Sequence, residues 1–234
     1  RPDARNALNT ELRTTLPRRL RELDADPAVA AMILTGTDPA FCAGLDLKEI
    51  STEGLGAGGS DEPSGLPFGR LTKPLIGAVN GPAVTGGFEL ALGCDFLVAS
   101  ERASFADTHA RVGVMPGWGL TVFLPQAIGI RRAKQMSFTG NYVDAATALD
   151  WGLVNLVVPH DDLVETARSL AADMATIPAA NLAAIKQAYV AAHHPVDGPA
   201  IAAEAAYNRS WSFDRGALAA NREAIQARGS SQAT

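Results

Sequence analysis

Glu89 follows a glycine pair within Pro82-Ala83-Val84-Thr85-Gly86-Gly87-Phe88-Glu89-Leu90, at what reads as a turn into a helix. A carboxylate so placed has the makings of an acid/base site. Glycine lets the backbone approach a ligand closely, and the unpaired N–H groups of a helix's first turn can face an oxygen that gains negative charge. A second segment has the same character: Thr35-Gly36-Thr37-Asp38-Pro39-Ala40-Phe41-Cys42-Ala43-Gly44-Leu45-Asp46-Leu47-Lys48 runs from an apolar stretch through a turn into a helix start. Two such turns can supply two backbone donors. Taken singly, Gly44, Gly86 and Gly87 would read as turn or close-packing glycines; their paired occurrence favours the chemical reading.

These residues need a scaffold, and the flanking pattern supplies one. A polar cap at Asn9-Thr10-Glu11 precedes Leu12, Leu16, Leu20 and Leu23, which predicts a helix ending near Asp24 to Pro27. Val29 to Thr35 is a continuous apolar run of buried-strand type. Leu75 to Val79 reads as a strand, Phe88 to Leu92 as a helix and Asp95 to Ala99 as a strand, an alternation that predicts an α/β fold with parallel pairing. Between the two motifs, Ser51 to Gly69 has no hydrophobic period and is expected to be a mobile loop serving as a lid. After Pro159 the chain is alanine-rich, with Leu163, Ala167, Leu170 and Met174 on one face and a break at Pro178. This divides the chain into a core over 1–177 and a C-terminal helical region of two or three helices over 178–234. Such a tail cannot bury its apolar face alone, which predicts docking against a neighbouring subunit.

Composition narrows the function classes. At 234 residues the chain suits one main domain, and 47% hydrophobic against 19% charged residues fits a globular protein. A net charge of -5 gives no nucleic-acid footprint, and Arg18-Arg19-Arg21 and Arg131-Arg132-Lys134 read as solvated helix faces. Cys42 and Cys94 have neither disulfide nor metal-site spacing, so no metal is expected and a reducing, cytoplasmic compartment fits. No stretch approaches the ~20 apolar residues that span a bilayer, so no membrane partner is expected.

The segments FCAGLDLKEI and KPLIGAVNGPAVTGGFELALGCDFLVAS resemble the crotonase, or enoyl-CoA hydratase/isomerase, superfamily. Arg1-Pro2-Asp3-Ala4-Arg5-Asn6-Ala7-Leu8, Val112-Gly113-Val114-Met115-Pro116-Gly117, and the stretches Thr139 to Tyr142 and Asp150 to Val154 agree with it in order, so the resemblance runs from Arg1 to about Pro159. It implies a crotonase-type spiral of repeated ββα units with a C-terminal helical oligomerisation region, assembled as a homotrimer or hexamer. It implies an acyl-CoA thioester substrate and no cofactor, coenzyme A being part of the substrate.

Carried over residue by residue, the resemblance makes the N–H groups of Leu45 and Gly86 the oxyanion donors. It places Ala43, Leu45, Asp46, Leu47, Lys48, Gly86 and Arg5 against the acyl-CoA, although Lys48 and Arg5 alone would read as surface cations. Glu89 falls on the first of the family's two glutamate positions. The second, seven residues before Pro116, is His109, which departs from the hydratase pattern. Histidine exchanges protons near neutral pH, so an acid/base role survives in principle. Asp107 and Arg111 flank it and are candidates to orient or charge-pair the ring. Asp95 reads as a group fixing a helix end, Cys42 as a small buried thiol, and Trp118 as either a pocket wall or a core residue. The leading expectation is hydration of a 2-enoyl-CoA; the alternatives are an enoyl-CoA isomerase or related crotonase-type reaction, and a thioester-binding protein with little catalysis.

Overall fold

Asn9 opens the first helix by accepting the Leu12 N–H on its side chain at 2.9 Å, and the helix, α1, runs Thr10–Ala25. The structure, a computed structural model, describes residues 1–54 and 65–232. β1 (Met32–Thr35) and α2 (Leu47–Glu53) follow, then β2 (Leu75–Val79), β3 (Pro82–Val84) and α3 (Gly86–Leu92). The next group is β4 (Phe96–Ser100), β5 (Ser104–Ala106) and α4 (His109–Val112). Beyond it lie α5 (Leu120–Ile128), α6 (Ile130–Thr139), β6 (Val143–Asp144), α7 (Ala145–Trp151) and β7 (Leu156–Val158). Three helices end the chain: α8 (Leu163–Ala175), α9 (Ala179–Ser210) and α10 (Arg215–Gln232).

Two sheets carry this order. One is parallel throughout, β1-β2-β4-β7, and the other is β3-β5-β6 with β6 antiparallel. The ββα succession expected for the spiral is present in β2-β3-α3 and β4-β5-α4. Both faces of β2 are covered: Leu75 and Val79 enter the main core with Phe41, Phe88 and Phe105, while Ile76 and Ala78 pack under Leu163 and Ala167 of α8. A strand buried on both sides needs no polar alternation, which is why its apolar run is unbroken.

Several boundaries differ from the expectations. The apolar run from Val29 pairs only from Met32, because the Val29 N–H bonds to Asp26 O and keeps the chain in a turn. The helix carrying Glu89 starts at Gly86, and the following strand at Phe96. Residues 51–53 are the end of α2, pinned by the fully buried Ile50 against Leu218, Val112 and Val114. Phe68, within the expected lid, is 2% exposed and part of the core; the rest of that expectation, 55–64, lies outside the described residues.

The tail folds partly onto its own chain. Leu218 of α10 is buried against α2 and α4, and Ile201 of α9 is buried as well. Helix α9 leaves Ile185, Tyr189 and Val196 exposed. Asp95 serves a strand rather than a helix end: its Oδ2 accepts the Leu75 N–H at 2.7 Å and Lys186 Nζ of α9 at 2.8 Å.

Candidate active site

Parallel pairing brings the two glycine turns together. Cys42 bridges Ala83, with Cys42 N–H donating to Pro82 O and Val84 N–H to Cys42 O. Three residues further along each chain, that register sets Leu45 beside Gly86. Leu8 flanks the other side, bridging Leu45. Gly44 makes the turn at φ +90, a conformation that costs a residue with a Cβ. Gly87 permits the close approach: a Cβ there would lie 2.2 Å from Cys42 O. The buried Asn6 side chain braces the first turn from behind by donating to Thr37 O and Ala40 O, each at 2.7 Å.

Neither the Leu45 N–H nor the Gly86 N–H meets an acceptor among the described residues. Gly86 begins α3, where the first turn has no intrahelical acceptor for its donors. The residue before it, Thr85, sits at φ 53 and ψ -117, an outlier for a β-branched side chain that costs about 1–3 kcal/mol. Its N–H bonds to Ala106 O and its hydroxyl to the Thr108 hydroxyl, and these hold the strained corner that turns β3 into α3.

Glu89 lies one turn into α3 and His109 opens α4; each is only 3% exposed. Glu89 Oε2 is 3.3 Å from His109 Nε2, and Oε1 accepts the Gly117 and Trp118 N–H groups at 3.1 and 2.8 Å. Behind the ring, His109 Nδ1 donates to Asp107 Oδ1 at 2.7 Å. Burial alone would drive the imidazole neutral, but the Glu89 charge, the Asp107 hydrogen bond and the Asp107 charge together push its pKa up to about 10. Burial likewise opposes ionisation of Asp107, and the imidazole overcomes it, holding that carboxyl below the usual range. The two carboxyl groups flanking the ring thus favour the imidazolium form of His109.

The other expected residues gather around a cavity of about 680 Å³. Arg5, Ala43, Leu45, Asp46, Leu47 and Lys48 all line it. Gly86, Glu89 and His109 do not; they sit behind Thr85 and Thr108, which form part of its wall. The side chains of Leu8, Trp118 and Leu45 close over Gly86, within 3.3 to 3.8 Å of where a Cβ would stand. Trp118 therefore follows the core reading, packing on the core and covering the donor turn without lining the cavity.

Other assignments resolve individually. Cys42 is a buried thiol whose pKa burial pushes up to about 12, which leaves no nucleophile at neutral pH. Arg111 turns away from His109 to donate to Thr139 O, while also lining the cavity. Tyr142, from the Thr139 to Tyr142 stretch that carries the resemblance, lines it too, as does Arg228, which no local signal in the sequence marks.

Known proteins resemble this one over most of the chain. The family model described as enoyl-CoA hydratase/isomerase matches residues 1–213. A protein of Arabidopsis thaliana named "Probable enoyl-CoA hydratase 1, peroxisomal" is 41% identical over 174 residues, covering 73% of this chain; the chain in turn spans 65% of that relative's length. The 1,2-epoxyphenylacetyl-CoA isomerase of Escherichia coli is 36% identical over 80% of this chain and 75% of its own. Among solved structures, an enoyl-CoA hydratase from Mycobacterium smegmatis is 49% identical and superposes with a TM-score of 0.81 over 90% of both chains. The chain belongs to the enoyl-CoA hydratase/isomerase family, that is, to the crotonase superfamily.

Proposed function

We propose that this protein adds water to a 2-enoyl-CoA thioester. The observation that carries the reading is the Glu89–His109 contact, 3.3 Å long, one helical turn behind the free Gly86 N–H. In this mechanism the thioester oxygen lies between the Leu45 and Gly86 amides. Glu89 Oε2 takes a proton from water as the water oxygen bonds to C3, and the electron pair of the double bond moves onto the thioester oxygen as an enolate. His109 Nε2–H then protonates C2. Glu89 is left protonated and His109 neutral, so a direct transfer across the 3.3 Å contact resets the site. An oxyanion donor of this kind contributes about 3 kcal/mol, and positioned proton transfer about 10²–10⁴-fold.

The remainder of the substrate suits the cavity. Lys48, Arg5, Arg111 and Arg228 surround it and offer cations to the phosphates of coenzyme A. Arg228 donates from Nη2 to Asn141 Oδ1 at 2.6 Å, while its buried Nε has no partner among the described residues. The exposed Ile185, Tyr189 and Val196 support the proposed homotrimer or hexamer, which light scattering measures directly. The free cysteines support a reducing compartment such as the cytoplasm.

Loss of the conjugated-thioester absorbance of crotonyl-CoA tests the reaction, with Glu89→Gln and His109→Ala run in parallel. Loss that vanishes in both variants supports the reading; no loss despite thioester binding sinks it. Relocation of a double bond between the 3 and 2 positions is the second reading, favoured by Glu89 being the one acidic residue of α3, the helix that Gly86 opens. Oxygen-18 water separates them, since hydration incorporates the label and isomerisation does not.

A further inference from the structure

Glu89 is oriented by two amides that belong to a turn outside regular structure. Gly117 and Trp118, which donate to its Oε1, lie between α4 and α5. That turn is gripped by Glu204 and Asn208, one turn apart on one face of α9, and by Trp211, the extended residue that ends the helix. Glu204 Oε1 accepts the Gly119 N–H at 2.5 Å, and Oε2 accepts the Thr121 N–H at 2.6 Å together with the Thr121 hydroxyl. Asn208 Nδ2 donates to Met115 O at 2.6 Å, and Trp211 Nε1 to Gly113 O at 2.8 Å. The turn is fixed on both sides of Gly117 and Trp118.

Glu204 is 6% exposed in an otherwise alanine-rich stretch, a costly place for a carboxylate unless its oxygens are satisfied. They are satisfied by donors around the first turn of α5, so α9 caps α5 from a distance. Burial, with a contribution from the charge of Glu89, pushes the Glu204 carboxyl up, which sets the two carboxylates within electrostatic reach.

We propose that α9 is a positioning strap for the base: Glu204, Asn208 and Trp211 hold the 113–121 turn so that its amides fix Glu89 Oε1 and leave Oε2 for the reaction. The inference rests on the acid/base role of Glu89 proposed above. No side chain of the strap lines the cavity, so its effect on rate passes through Glu89. Displacing a reacting group by about 1 Å costs on the order of 100-fold.

Asn208→Ala and Trp211→Phe test it in the full chain, by crotonyl-CoA kinetics and by hydrogen exchange of peptides covering 113–121 and β2. The half-exposed Trp211 makes the second variant the gentler one, and it decides the matter if the first does not fold. The expected result is faster exchange through 113–121 with β2 unchanged. It is accompanied by a kcat loss of roughly 10–100-fold for Asn208→Ala and about threefold for Trp211→Phe, with KM within about twofold. In a Glu89→Gln background neither substitution lowers the rate further. Unchanged exchange at 113–121, or unchanged kcat despite faster exchange, overturns the proposal. So does an equal loss in the Glu89→Gln background. An inactive parent protein counts against the hydratase reading instead, and the strap then stands or falls on the exchange arm alone.

Discussion

Asp107→Asn isolates the charge on which the proposed proton transfer depends. Asparagine keeps the shape of the side chain and an oxygen able to accept the His109 Nδ1–H, but removes one of the two anions flanking the ring, 2.7 Å from Nδ1. A contacting opposite charge is worth about 1–3 pK units, so the imidazole falls from about 10 to roughly 7–9. The His109 pKa is raised in the folded protein above its ordinary 6.5. Its contribution to stability is therefore complete below pH 6.5 and is lost as pH rises through about 10. At ~1.4 kcal/mol per unit, the variant forfeits roughly 1–4 kcal/mol of that contribution at pH 7, offset in part because it no longer buries the Asp107 charge. Histidine-labelled NMR reads the ring titration, urea midpoints at pH 6, 8 and 10 read the linkage, and kcat/KM against pH reads the basic limb. The limb and the midpoint loss should both move to lower pH in the variant. An unchanged ring titration, or a ring already neutral at pH 7 in the parent protein, refutes the cationic His109.

Glu89→Gln and His109→Gln should each lower crotonyl-CoA hydration by about 10²–10⁴-fold with little change in KM, measured by absorbance at saturating substrate. Gly87→Ala sets a Cβ 2.2 Å from Cys42 O and must push α3 off the donor turn; a destabilisation of about 1–3 kcal/mol is expected from urea unfolding, with rate lost as well. Arg228→Ala should raise KM for the coenzyme A ester about tenfold while leaving KM for the acyl-pantetheine thioester unchanged, because the lost contact is charge-assisted and serves the phosphates.

The two glycine turns were legible because each is a short run of consecutive residues, although a pairing between Cys42 and Ala83 is what brings them together. Ala43 and the consecutive run Leu45 to Lys48 line the cavity, and the glycines that let the backbones meet are at the contact itself. Element boundaries were less legible: the apolar run from Val29 does not say where pairing begins, since a hydrogen-bonded turn and a buried strand are both served by apolar residues. Phe68 was hidden in a polar stretch, where one aromatic makes no period yet anchors the segment in the core. Least legible was the face of α9. Glu204 meets Gly119 across 85 positions, and an isolated Glu in an alanine-rich helix reads as solvated until the partner turn is in place.

His109, which the resemblance sets where hydratases carry a second glutamate, has a physical companion in Asp107. A pair of carboxyls sharing one proton carries one net negative charge and one transferable proton. Asp107, the imidazolium of His109 and Glu89 also sum to one negative charge, with the proton on Nε2. Buried alone, histidine would tend toward neutrality and lack the proton to donate; the Glu89 charge and the Asp107 hydrogen bond and charge oppose this together. His109→Glu alone should therefore not regenerate a normal site, because it crowds carboxyls at 89, 107 and 109 into one buried cluster. Adding Asp107→Asn removes the surplus charge and should raise the hydration rate of that variant at least about tenfold, the equivalent of one pK unit of relieved repulsion. Steady-state turnover at pH 7 decides the matter: a His109→Glu protein as fast as the double variant would show that charge balance is not what Asp107 supplies.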